Sequence, residues 1–75
     1  MRPTDILRLL KQMPFRPFRL YVLEETTYDI RHPELVTVGQ STLTIHYPHP
    51  AEHPPLGERF VVIALLHITK LEPAL

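Results

Sequence analysis

Three histidines in the middle of the chain are the residues whose types and spacing come nearest to a chemical site. His46, His49 and His53 lie close together in the sequence, beside Glu52. Imidazoles and a carboxylate bind zinc or nickel, and spacings of three and four would suit one face of a helix. Prolines at positions 48, 50, 54 and 55 exclude that helix. We therefore predict an exposed polar loop, with these histidines as weak candidate metal ligands and no cofactor.

No catalytic constellation is visible in the rest of the sequence. Gly39 and Gly57 are the only glycines, which excludes a glycine-rich phosphate loop. Ser41 is the only serine, and its neighbours lack a nucleophile-elbow pattern. The absence of cysteine excludes disulfides and thiolate metal sites. The sequence predicts a protein that is not an enzyme and has no small-molecule substrate.

The charges are separated along the chain although their formal sum is zero. Residues 1–19 contain five basic side chains against Asp5 alone, and the remainder contains three against seven acids. A basic end can attract a polyanion or the acidic part of another copy, while the simpler interpretation is a solvated helix face. If the partner is a nucleic acid, the candidate contacts are Arg8, Lys11, Arg16 and Arg19.

One helix is predicted near the start, over residues 4–13. Thr4 suits the N-cap and Asp5 suits the positively polarised first turn. Pro14 ends the helix because proline disfavours a helical residue before it. A helix this short needs to dock its apolar stripe on the rest of the protein. That stripe consists of Ile6, Leu9, Leu10 and Met13.

From Phe18 onwards the apolar residues recur with a period of two, which is typical of β-strands. Residues 14–39 read as a meander whose prolines lie at the joints rather than inside the strands. Four prolines and a glycine within residues 48–58 predict a stiff exposed loop. The strands are expected at residues 17–24, 27–31, 35–38, 42–47, 59–65 and 68–72.

Residues 60–66 form an unbroken apolar run, unlike the strands before them. A strand that is apolar on both faces needs both faces covered, and it is an aggregation hazard at an exposed edge. The second face can be covered by the N-terminal helix, or by the same strand of a neighbouring copy through strand addition. The interface residues predicted by the second alternative are Phe60, Val62, Ile63 and Leu65.

The element order predicts a mainly β (α+β) fold in one small domain, residues 1–75. A helix followed by five or six short antiparallel strands is most economically closed as one strongly bent sheet curled into a small barrel. This order resembles the Sm-like and SH3-like small barrels. The Asn-bearing and Arg-Gly turns by which Sm proteins hold uridines have no counterpart here, because Leu65, Leu66 and His67 stand at the closing turn.

The chain also resembles a group of short, uncharacterised bacterial proteins that share a pattern of the type PFRPF…YxIRHPE…LLHITxLEP. The matching residues lie at 14–18, 28–34 and 65–73. This resemblance covers most of the chain and implies no particular function.

Length and hydropathy indicate the class of protein. A chain of 75 residues buries only about 60–65% of the surface that its unfolded form exposes, which favours self-association. No apolar run approaches the ~20 residues of a membrane span, and the start is too charged for a signal peptide. We expect a cytoplasmic, homo-oligomeric interaction module without a membrane partner, and a nucleic-acid-binding small barrel is the alternative.

Overall fold

A computed structural model describes residues 1–47 and 59–74 of the chain. The described part is mainly β with one N-terminal helix, which confirms the predicted fold class at this level. Its six strands form two antiparallel sheets of three strands each. The elements are α1 (Pro3–Leu10), β1 (Phe18–Val22), β2 (Thr26–Ile30), β3 (Val36–Val38), β4 (Thr42–Tyr47), β5 (Arg59–Ala64) and β6 (Ile68–Pro73).

Helix α1 begins one residue earlier and ends three residues earlier than the sequence predicts. Pro3 occupies the first helical turn and Arg2 is the N-cap, so Thr4 is not the cap. Proline suits that position because its missing N–H would have no partner inside the helix. The helix ends at Leu10, and the backbone N–H of Lys11 donates to the carbonyl of Leu7 at 3.0 Å.

The first sheet, sheet A, has the strand order β2-β1-β6. Its central strand places Leu20 between Tyr28 of β2 and Leu71 of β6. The second sheet, sheet B, has the order β3-β4-β5, with Ile45 of β4 between Val36 and Val61. The two sheets are therefore built alike, each around one central strand.

Three joints in the chain are single turns of 3-10 helix, at Leu23–Glu25, Pro33–Leu35 and Leu65–His67. Glu25 has a φ of 66°, so a non-glycine residue takes the left-handed conformation in the first of them. This turn explains why the first strand ends at Val22 rather than at residue 24. The second turn carries the chain from sheet A to sheet B.

One core of aliphatic and aromatic side chains lies between the helix and both sheets. All the buried side chains in the described residues are apolar. They are Ile6, Phe18, Leu20, Ile30, Leu43, Ile45, Ile63, Leu65 and Ile68. The described strands form two sheets, whereas a single bent sheet is expected from the sequence, and the chain passes from one sheet to the other at the turns Pro33–Leu35 and Leu65–His67.

Neither described range contains a helix of the length and apolarity needed to cross a membrane.

Candidate interaction surface

The apolar run in β5 is divided between the core and the outer surface. Ile63 is buried and Val61 is half-buried, whereas Phe60 is 62% exposed and Val62 is 54% exposed. Because successive side chains of a strand point to opposite faces, Phe60 and Val62 share the outer face of sheet B. Helix α1 contributes Ile6 to the core and leaves this outer face uncovered.

The outer face of sheet B, here called the uncharged face, continues across all three strands. Val62 lies beside Thr44, which lies beside Thr37 of β3. Phe60 lies beside His46, with the two ring centroids 6.3 Å apart. Arg59 is the only charged residue in these three strands. The surface thus presents an aromatic ring, an aliphatic side chain and hydroxyls, while alternation along β5 assigns Arg59 to the opposite face, with Val61 and Ile63.

In the part of the chain that the structure describes, the outer edge of β5 is open. Along its whole length, Arg59–Ala64 pairs antiparallel with β4. Within residues 1–47 and 59–74, no strand pairs with the opposite edge of β5. Such an edge presents unpaired N–H and C=O groups that can pair with another chain. The exposed side chains and the open edge therefore belong to the same strand.

The four residues predicted for a subunit interface do not share one environment. Phe60 and Val62 lie on the uncharged face, while Ile63 and Leu65 are only 6% and 3% exposed. Leu65 follows β5 in the 3-10 turn, where its backbone N–H donates to the carbonyl of Ser41 at 2.9 Å. The side chains of Ile63 and Leu65 therefore pack in this chain's own core. The interface itself stays a prediction.

The four basic residues predicted for nucleic-acid contact also separate into two kinds. Arg8, Lys11 and Arg16 are exposed. They take part in no ion pair among the described residues. Arg19, in contrast, donates from Nε to Oδ1 of Asp29 at 2.6 Å. This hydrogen bond raises the pKa of Arg19 and holds the pKa of Asp29 below its usual range.

Arg19 belongs to a set of charged and aromatic side chains on the outer face of sheet A, here called the charged face. Arg19 lies between Asp29 of β2 and Glu72 of β6 in the strand register. The Tyr21 hydroxyl donates to the carboxylate of Glu72. Lys70 places its Nζ 4.2 Å from the Tyr21 ring centroid and 3.6 Å from Oε2 of Glu72. These contacts hold the pKa of Glu72 below its usual range, the Tyr21 hydrogen bond being the largest cause.

The histidine cluster is described only at its first member. His46 is half-buried in β4, and His49 and His53 lie outside the described residues. Within residues 1–47 and 59–74, no three side chains of metal-ligating type lie together. Metal binding by the loop therefore stays a prediction.

Sequence reasoning missed the partners of Phe60 and Val62 on the uncharged face, namely Thr37, Thr44 and His46. The period of two in β4 does assign Thr44 and His46 to one side of that strand. The sequence carries no signal for the register that sets them beside β5, because register depends on which strands pair.

No protein-family model matches this chain. Comparisons with curated proteins and with solved structures found no significant match either. The resemblance to short bacterial proteins and to Sm-like barrels therefore stays a prediction. The function has to be inferred from the chain's own surfaces.

Proposed function

We propose that this protein is a non-catalytic structural or interaction module that self-associates through the outer edge of strand β5 and the adjoining part of the uncharged face, Phe60 and Val62. The observation that carries the proposal is that Phe60 and Val62 are more than half exposed on a strand whose outer edge has no partner within the described residues. Burial of apolar surface contributes about 25 cal/mol per Å², and strand addition would satisfy the open backbone groups as well.

The charged face of sheet A supports a non-catalytic role. The shifted pKa values belong to Arg19, Asp29 and Glu72. On this outer face Arg19 pairs with Asp29, and Glu72 accepts a hydrogen bond from Tyr21. Each of these pKa shifts means that the contacts stabilise the charged form of the group. Catalytic acids and bases usually need the opposite, a pKa moved towards neutral pH. We therefore assign these groups to cross-strand pairs on the outer face of sheet A.

As part of the same proposal, the two sheets form a small, partly open barrel of the Sm-like or SH3-like kind. Two observations support it. Strand β2 leads into β3 through the single turn at Pro33–Leu35, and both sheets contribute side chains to one core.

The substitution Val62→Lys tests self-association. It places a charge on the uncharged face without touching the core, so we expect a folded chain of monomeric mass where the wild type is oligomeric. Size-exclusion chromatography with light scattering, at one fixed protein concentration, measures the mass. Ile63→Lys is unsuitable because it would place a charge in the core.

Thr37→Lys is the matched control. Thr37 is exposed on the same face of sheet B, but on β3 at the opposite edge of the sheet. We expect its oligomeric mass to equal that of the wild type. A monomeric wild type, or an unchanged mass for Val62→Lys, contradicts the proposal. Equal dissociation by both substitutions would assign the contact to the whole face rather than to the β5 edge.

Nucleic-acid binding is the second candidate, and the exposed positions of Arg8, Lys11 and Arg16 favour it. Fluorescence anisotropy with a labelled single-stranded RNA should then show an affinity that falls steeply as salt rises. Replacing these three residues by glutamine should reduce the salt dependence. Arg19→Gln should change it little, because that guanidinium is engaged by Asp29. The absence of binding at low salt eliminates this candidate.

A further inference from the structure

A cavity of about 220 Å³ lies between the end of the helix, the start of β1 and the end of β6. Its apolar lining includes Leu9, Phe18 and Leu71, and its polar lining consists of Gln12, Arg16 and Glu72. Segments distant in the sequence therefore meet here, including the PFRPF and LEP motifs noted above.

The cavity borders a second recess of about 310 Å³, which is lined by Met13 and Pro14. Gln12 and Arg16 line both spaces. The two residues that the apolar cavity and the recess share thus carry polar side chains, one with an amide and one with a guanidinium. This arrangement suits a ligand with one polar end and one apolar end.

The charges around the cavity favour an anionic polar end. Arg16 is exposed and has no ion pair among the described residues. Glu72 is the one acid in the lining, and its carboxylate already accepts the Tyr21 hydroxyl and lies 3.6 Å from Nζ of Lys70. The acid is therefore balanced by its own partners, which leaves the guanidinium of Arg16 available.

We propose that this cavity binds a small carboxylic acid with a short apolar chain. The guanidinium of Arg16 and the amide of Gln12 hold the carboxylate, and Leu9, Phe18 and Leu71 contact the chain. Guanidinium and carboxylate match geometrically, because two parallel N–H groups can donate to two oxygens. The cavity is smaller than the roughly 300–1,000 Å³ typical of pockets for drug-sized ligands, so a single short chain is the fitting size.

Titration with hexanoate, followed by two-dimensional NMR of the wild-type protein, tests the site. We expect saturable shifts of the Gln12 side-chain amide and of the Leu9 and Leu71 methyl groups. Hexanol and hexylamine have the same chain without the anion, and both should bind at least about tenfold more weakly, as expected for loss of a hydrogen bond between charged groups.

Arg16→Gln should weaken hexanoate binding by about tenfold or more on the same reasoning. Arg8→Gln is the control, since Arg8 lies in the same basic region but does not line the cavity. Its affinity should stay within about twofold of wild type, on the expectation that surface charges at a distance are screened. Because both arginines are exposed, neither substitution removes a core contact.

Three outcomes overturn the proposal. The first is the absence of saturable shifts with hexanoate. The second is equal weakening by Arg16→Gln and Arg8→Gln, which indicates general attraction to a basic surface. The third is equal binding of hexanol and hexanoate, which indicates an apolar cavity without recognition of the acid. The Val62→Lys variant should bind hexanoate like the wild type. A failed test of the hexanoate site is therefore distinguishable from a failed test of self-association.

Discussion

Sheets A and B each contain three antiparallel strands and each place aliphatic side chains on the common core, but their outer faces differ in chemistry. On sheet A, the side chains of Arg19, Tyr21 and Glu72 are engaged by partners on neighbouring strands. On sheet B, Phe60 and Val62 are uncovered beside threonines and a histidine.

The two outer faces therefore differ in how far their side chains pair with one another across the strands. Cross-strand ion pairs and hydrogen bonds give sheet A a polar face that suits water. The outer face of sheet B carries threonines in place of the charged residues of sheet A, and its edge strand carries the exposed apolar residues Phe60 and Val62. Natural proteins usually protect edge strands with charges or prolines, and the apolar edge of β5 is for this reason the surface at which we propose self-association.

The largest expected effect concerns the feature that the two sheets share. Leu20 in β1 and Leu43 in β4 are each 0% exposed and belong to one core. Replacing either by alanine should lower the free energy of unfolding by about 2–5 kcal/mol, through lost burial and a cavity. Urea denaturation followed by circular dichroism, at one protein concentration, measures both changes. A large loss for one sheet with almost none for the other would show that the core is not shared.

A smaller effect is expected when Arg19, the central cation of the charged face, is replaced. In Arg19→Gln, the pKa of Asp29 should rise towards the ordinary value of 3.8, because the hydrogen bond from Nε is lost. Titration of the carboxyl carbons by NMR measures it. The oligomeric mass should not change, since this face is not the proposed interface. If the pKa of Asp29 stays where it is, the described pair does not form in solution.

The two carboxylates of the charged face with lowered pKa values make the free energy of unfolding depend on pH. The pKa values of Asp29 and Glu72 are lowered in the fold, so the stabilisation they provide is present above the ordinary values of 3.8 and 4.5 and is lost as the pH falls below them. Arg19→Gln should flatten this acid dependence of the unfolding free energy. Arg8→Gln, which breaks no described ion pair, should leave it unchanged.

The smallest effect is expected from Tyr21→Phe. The variant loses the hydroxyl that donates to Glu72, so the pKa of Glu72 should rise towards 4.5. Lys70, 3.6 Å from the Glu72 carboxylate, should keep part of the shift, and it also lies over the ring that phenylalanine retains. The same NMR titration checks this result. A pKa for Glu72 that is identical in both proteins would mean that Lys70 alone causes the shift.

Several elements could be predicted from the sequence because their signals are local. The period of two assigned Phe18 and Leu20 to one side of a strand, and both are buried. Pro33 lies at a predicted joint, which is a 3-10 turn. The predicted start of the helix was less accurate, because Pro3 is compatible with the first helical turn as well as with a preceding loop.

The candidate surfaces were only partly predictable, because side chains distant in the sequence create them. The apolar run of residues 60–66 was visible, but the pattern treats Ile63 and Val62 alike. Only the packing shows that Ile63 faces the core and Val62 faces outwards. The pairing of Arg19 with Asp29 similarly depends on the register of β1 against β2.

The sequence by itself determined that this protein has one short helix and several short strands, since helix and strand periods and proline positions act over a few residues. The tertiary structure decided which apolar side chains of β5 remain exposed, which basic residues are already paired and where the cavity beside Arg16 lies. These features follow from contacts between β1 and β6, and between β4 and β5, whose partners are far apart along the chain. Neither local propensity nor periodicity specifies such contacts.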